Sequence, residues 1–369
     1  MRAGAKLAVK RGDWNNAARY YGNLSELQLT LGLVPEAVAD ARRSLDHAER
    51  SGDAFMRSAM RTTLADALHQ QGETGEAQRL FAQAEAIQAE LQPQYPFLYS
   101  LRGVLYCDLL LAGAEGAAWS AAGGSPGVSA AGGPGWVAAG AGDPGWAAAC
   151  EAVVRRATGA QRAWREIFAD PEPLLDIARD HLTLARCALY ADLMAGRPPG
   201  PEAQSQARRA LDGLRAAGNQ HHIPRGLLTR AWLRQAQGDP DGARADLAEA
   251  EQIASRGAMA LHLADIALYR ARLFRDPQAL AQARRLIEAH GYRRRLPELE
   301  AAESAAPCGS GFQPRPSVFH RPLWTTTRRK KTAAVFPLAF RQVLRGQEKV
   351  PAPRMPASSR AIAASRCGP

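Results

Sequence analysis

Long apolar runs, aromatic residues and paired cysteines are all scarce in this sequence of 369 residues. The longest apolar stretch, near 97–112, is broken by Arg102 and Asp108, which argues against a membrane-spanning helix there. The opening MRAGAKLAVKRGD has no apolar h-region, so no secretory leader is expected. Five cysteines stand at 107, 150, 187, 308 and 367, an odd number with no C-x-x-C pair. Unpaired thiols in a reducing compartment, and so a cytoplasmic protein, are the expectation. Aromatics make up only 7% of the residues. Alanine carries much of the apolar content instead, which favours close helix packing over a large aromatic core.

Catalytic signatures are missing too. There is no G-x-x-x-x-G-K-[ST] phosphate loop, no H-E-x-x-H and no G-x-S-x-G. His221-His222 is the densest histidine site, yet zinc needs two further ligands and none stands nearby in sequence. Cys107 and Cys187 lie within apolar helical stretches and read as buried, inert thiols. Glu-rich pieces such as LAEAEQ read as exposed helix faces, without the unequal environments that acid–base pairs need. The expectation is a protein that is not an enzyme and uses no cofactor or metal.

The formal charge of +11 invites a nucleic-acid reading, but its distribution does not. Residues 301–369 hold nine Arg and three Lys against Glu303 and Glu348, a net of +10, which leaves residues 1–300 at +1. The body is neutral and only the tail is basic. The Arg-heavy, Lys-poor, Ala-rich usage points to a GC-rich bacterial genome.

What the sequence does have is a repeat of its own pattern. LADALHQQGETGEAQRLFAQA at 64–84 matches LSELQLTLGLVPEAVADARRS at 24–44. Around Ala77 lie Leu64, Ala65, Gly72, Phe81 and Ala84; around Ala37 lie Leu24, Ser25, Gly32, Ala41 and Ser44. Ala243 anchors another copy with Ala231, Gly238, Leu247 and Ala250; Ala203 and Ala279 anchor two more. In each copy a first helix carries apolar residues three and four apart. A glycine follows in three copies where the chain must leave that helix. A second helix then presents small residues that let backbones approach. One such hairpin cannot bury its apolar face alone, so stacked neighbours are expected.

These residues resemble the tetratricopeptide repeat, in a divergent bacterial form of long period. Leu64, Ala77 and Phe81 match the family pattern, with Ala65 at its glycine; Arg61, Leu68 and the lack of a late proline depart from it. The resemblance covers 15–91 and 173–290, with a spacing of 40 residues between well-matched anchors against about 34 in the family. An ordinary α-helical array makes the same prediction of helical hairpins. The resemblance implies an all-α, right-handed superhelical array of antiparallel hairpins, a solenoid whose first helices line a concave groove. It nominates Thr62, Asp66, His69 and Gln70, and Arg225, Thr229, Trp232 and Gln235, as the groove face that binds a partner peptide or helix. TTLADALHQQGETGEAQRLFAQAEAIQAE and RRLIEAHGYRRRLPELE also look like arrays at the C-terminal side of multidomain bacterial signalling ATPases, which implies a sensor or oligomerisation fragment as the alternative.

Four segments are expected: helical repeats over 1–111, a Gly/Ala/Pro/Trp insertion over 112–149, further repeats over 150–300, and a basic tail over 301–369. The insertion repeats PGW at 134–136 and 144–146 and offers Trp119, Trp136 and Trp146 as candidate anchors. The tail reads as disordered, or as the product of a shifted reading frame. RRKK at 328–331 is its candidate for a phosphate backbone or an anionic surface. Partner identity and oligomeric state are open from sequence.

Overall fold

The structure, a computed structural model, describes residues 1–122, 145–167 and 173–305. Fourteen α-helices and no strand occur among the described residues. The first group is α1 (Arg2–Lys10), α2 (Trp14–Thr30), α3 (Val34–Ser51), α4 (Ala54–Gln71), α5 (Thr74–Leu91) and α6 (Ser100–Ala122). Then come α7 (Gly145–Ile167), α8 (Leu174–Met194), α9 (Pro201–Ala216), α10 (Ile223–Ala236), α11 (Pro240–Arg256), α12 (Ala260–Phe274), α13 (Pro277–His290) and α14 (Leu296–Ser304). Two 3-10 turns, Gln220–His222 and Arg293–Arg295, lead into α10 and α14.

Local chemistry sets the helix ends. Asp13, Asp53, Asp239 and Asp276 each accept a backbone N–H of the first turn that follows, which satisfies donors with no partner inside the helix. Proline occupies an early position in α3, α9, α10, α11, α13 and α14, where its missing N–H costs nothing. Gly72 ends α4 at φ +92°, a left-handed conformation that suits glycine.

The small residues do what the repeat requires. Ala37, Ala77, Ala203, Ala243 and Ala279 are all buried, as are the larger Phe81 and Leu247. Helices pair as α2 with α3, α4 with α5, α6 with α7, α8 with α9, α10 with α11, and α12 with α13. Hydroxyls tie the pairs internally: Ser44 donates to Ala18 O at 2.6 Å, and Ser58 to Ala84 O at 3.0 Å. Phe81 stacks on Tyr106 of α6 with ring centres 4.9 Å apart.

The even-numbered helices from α2 to α12 also pack on one another in order, and α12 then returns to α2. At this return His290 Nδ1 lies 3.0 Å from Gly32 O. A Cβ placed on Gly32 would stand only 2.6 Å from Ala260 Cβ. The inner helices therefore form a closed circuit, with the odd-numbered helices as their outer partners.

Helices cross three of the expected segment boundaries. Residues 112–122, expected within the insertion, continue α6, and Ala114, Ala117, Ala118 and Trp119 are buried there. Alanine there outweighs the isolated Gly113 and Gly116. Gly145 and Trp146 already belong to α7, and α14 runs past residue 300. Residues 123–144, with Trp136, and the tail from 306, with RRKK at 328–331, lie outside the described residues.

Candidate functional site

The inner helices bring a set of charged side chains together. Asp108 and Glu115 lie seven residues apart on α6, so they share one face. Arg186 of α8 contacts Asp108 and reaches Glu115 at 3.3 Å. Arg225 of α10 also contacts Asp108. The turn after α13 adds two more guanidiniums. Arg295 binds Glu115 at 3.0 Å, Asp265 of α12 at 2.8 Å and Glu298 at 3.0 Å. Arg294 donates to Gln70 Oε1 of α4 at 3.3 Å and stands 3.9 Å from Asp108.

Burial alone would raise the pKa of Asp108. Arg225, Arg186 and Arg294 outweigh it and hold the carboxyl well below its usual range. Glu115 is likewise penalised by burial and brought down by Arg295, Arg186 and Arg294. Leaving one of these charges without its partner costs about 3–5 kcal/mol, more than the network gains over apolar packing.

Beside the charges lies an aromatic layer. Trp119 of α6 stacks on Trp232 of α10 with ring centres 3.6 Å apart, and Tyr269 of α12 meets Trp119 edge-on. Tyr190 of α8 packs against Trp232, and the Arg272 guanidinium lies over Trp119. Trp119 is thus part of the core, not a free anchor in a linker.

The eight nominated residues divide into two sets. Asp66, His69, Gln70 and Arg225 face the charged region with Asp108 and Arg294. The others make structural contacts. Thr62 and Thr229 donate to Ala59 O and Arg225 O of their own helices. Gln235 donates to Leu273 O, and Trp232, 2% exposed, is stacked. Of the eight, Thr62, His69, Gln70, Thr229 and Trp232 are buried and Asp66, Arg225 and Gln235 are half-buried; Arg294 of the turn Arg293–Arg295 reaches Gln70.

Two members of the first set differ from the arginine-matched carboxylates. Asp66 accepts a hydrogen bond from Gln70 Nε2 at 2.6 Å and makes no ion pair among the described residues. Desolvation raises its pKa to about 6, although the side chain keeps partial contact with solvent. Glu26 of α2 is raised in the same direction, by desolvation and then by repulsion from Asp66. His69 is 2% exposed, and neither ring nitrogen has a hydrogen-bond partner among the described residues. Desolvation and then Arg294 push its pKa well down, so the ring is neutral.

Sequence reasoning missed Glu26, Asp108, Glu115, Arg186, Arg294 and Arg295. Asp108 carried a usable signal, since a charge inside an apolar helix needs a partner. The run of three arginines at 293–295 carried another. Cys107 and Cys187 are buried, and burial pushes both thiols up, away from thiolate chemistry. The described residues include no group of three His, Cys, Asp or Glu placed to hold a metal ion, and no helix long and apolar enough to cross a membrane. No family model matches the chain, and no curated protein matches its sequence.

Proposed function

We propose that the protein is a non-catalytic interaction scaffold, a tetratricopeptide-like superhelical array whose inner face holds a polypeptide segment of a protein partner. What carries the reading is that the inner face already holds polypeptide. The chain's own Arg293–Glu298 lies against Gln70, Asp108, Glu115 and Asp265 through guanidinium–carboxylate and guanidinium–amide contacts. A partner segment bearing arginines fits the same acceptors, because the planar fork of a guanidinium matches a carboxylate at two points. Helical repeats present such a face with little reorganisation, which limits the entropy lost on binding. A cytoplasmic setting suits the scaffold.

A trans-complementation experiment tests the reading. The full chain carrying Arg294→Ala and Arg295→Ala should melt at lower temperature than the parent. A synthetic peptide of residues 291–300 should restore part of that loss in a saturable way, and the same peptide with its three arginines replaced by alanine should not. If the arginine peptide never raises the melting temperature, the inner face does not take up a segment in trans. A second reading, a sensor element of a larger bacterial signalling protein, draws support from Asp66, a half-buried carboxylate of α4 that makes no ion pair among the described residues.

A further inference from the structure

His221 and His222 occupy the 3-10 turn that leads into α10, with ring centres 3.9 Å apart. Nε2 of His222 is in direct contact with the Arg179 guanidinium of α8. A guanidinium only donates, so this nitrogen accepts and the ring is neutral. His262 of α12 reaches the same turn, with Nε2 3.2 Å from His221 O. A carbonyl only accepts, so Nε2 of His262 carries a proton, and its Nδ1 is buried with no partner among the described residues. None of the three imidazoles makes an ion pair among those residues. Asp176, which holds Arg179 at 3.0 Å, also accepts from Ser100 at 2.8 Å. The groups that act on His222 are all basic: Arg179, His221, His262 and Arg225 of α10. Helices α9 and α11 also touch the turn and add no charged group to that set. Burial, and then Arg179, push the pKa of His222 down to about 2. Burial lowers His221 and His262 as well, although Asp265 draws His262 the other way.

We propose that the turn Gln220–His222 is an acid-released latch: neutral His222 ties α8 to the start of α10, and protonation of that ring breaks the tie. A proton on Nε2 sets two cations against each other, with no carboxylate paired to the ring. A proton on Nδ1 of His262 adds a buried donor with no acceptor. His221 is exposed, so water reaches the turn. Release frees the first turn of α10, whose Arg225 contacts Asp108 on the inner face. Once released, His222 takes up its proton near the ordinary 6.5; while latched it does so far lower. The latch is therefore complete above 6.5 and weakens as pH falls below that value. It does not depend on what the inner face binds.

Two measurements on the full chain test the latch. The first is a magnetic-resonance titration of isotope-labelled histidine, with the His222 ring assigned through the backbone. Its midpoint in the folded parent should lie about one pH unit or more below the ordinary value. Arg179→Gln, which removes the facing charge, should raise that midpoint. The second is denaturant unfolding of the parent and of His222→Gln, whose amide oxygen accepts from Arg179 but takes up no proton. Between about pH 7.5 and about pH 5.5 the unfolding constant should rise about tenfold more in the parent than in the variant. Thermal melts establish that both variants are folded; if one is not, the titration of the parent decides. A His222 midpoint at the ordinary value in the parent overturns the proposal. So does an unmoved midpoint in folded Arg179→Gln, or equal pH dependence of unfolding in parent and folded His222→Gln.

Discussion

A single carboxylate, Asp66, links the stability of the protein to its interior. It is faced by Gln70 of its own helix, Glu26 of α2, Asp108 of α6, Arg225 of α10 and Arg294 of the turn after α13. Its pKa is near 3.8 in the unfolded chain and about 6 in the fold. The folded state therefore holds the proton more tightly than the unfolded one. Stability from the protonated group is complete below the lower value and is lost as pH rises through the upper one. At neutral pH the loss is about 3 kcal/mol as an upper figure. Asp108 and Glu115 act oppositely: their pairing contributes above the ordinary carboxylate range and is lost as acid protonates them. Asp66→Asn should accordingly raise the melting temperature at about pH 8 and leave it nearly unchanged at about pH 4. An equal shift at both pH values would mean that the effect is packing, not charge. The helix face of Asp66, His69 and Gln70 was legible in the sequence because their spacing puts them together. Their enclosure was not, since it depends on Arg294, which stands more than two hundred residues away.

At the level of helices, the alanine and phenylalanine positions carry the packing. Phe81 is fully buried between α4, α5 and α6, and stacks on Tyr106. Phe55 at the start of α4 is 47% exposed, with the Arg102 guanidinium over its ring. Phe81→Ala should cost about 3–5 kcal/mol in denaturant unfolding, because it removes buried surface and leaves a cavity. Phe55→Ala should cost about 1 kcal/mol or less, the size of an exposed cation–π contact. Comparable losses at both positions would contradict this account of the core. The hairpins could be read from sequence because each depends on local periodicity, on a glycine such as Gly32, Gly72 or Gly238, and on a short polar turn. α6 was harder to read. Its later half, AGAEGAAWSAA, has the composition of a linker, and long-range contacts make it part of the core: Trp119 packs against Trp232 and Tyr269, and Glu115 pairs with Arg186 and Arg295.

For the whole molecule, the decisive feature is the return of α12 to α2. In an open array each repeat touches only its neighbours, and stability is a sum of local terms. Here the end of the array also contacts its start, so unfolding of either end exposes an interface of the other. Gly32 lies at that seam with φ +79°, and a side chain there would meet Ala260 and His290. Gly238 plays the same part after α10 with φ +85°, but nothing lies within 4 Å of a Cβ placed on it. Valine at either position suffers the backbone strain of a left-handed β-branched residue, about 1–2 kcal/mol or more. Only Gly32→Val also obstructs the seam. Scattering in solution should therefore show a larger radius of gyration for Gly32→Val than for Gly238→Val, with faster amide exchange across Arg293–Arg295. Thermal unfolding of Gly32→Val should broaden while that of Gly238→Val shifts as a single transition, because opening the seam removes the coupling between the ends. Matching radii and matching transition widths in the two variants would show that the seam adds nothing to the cooperativity of the array.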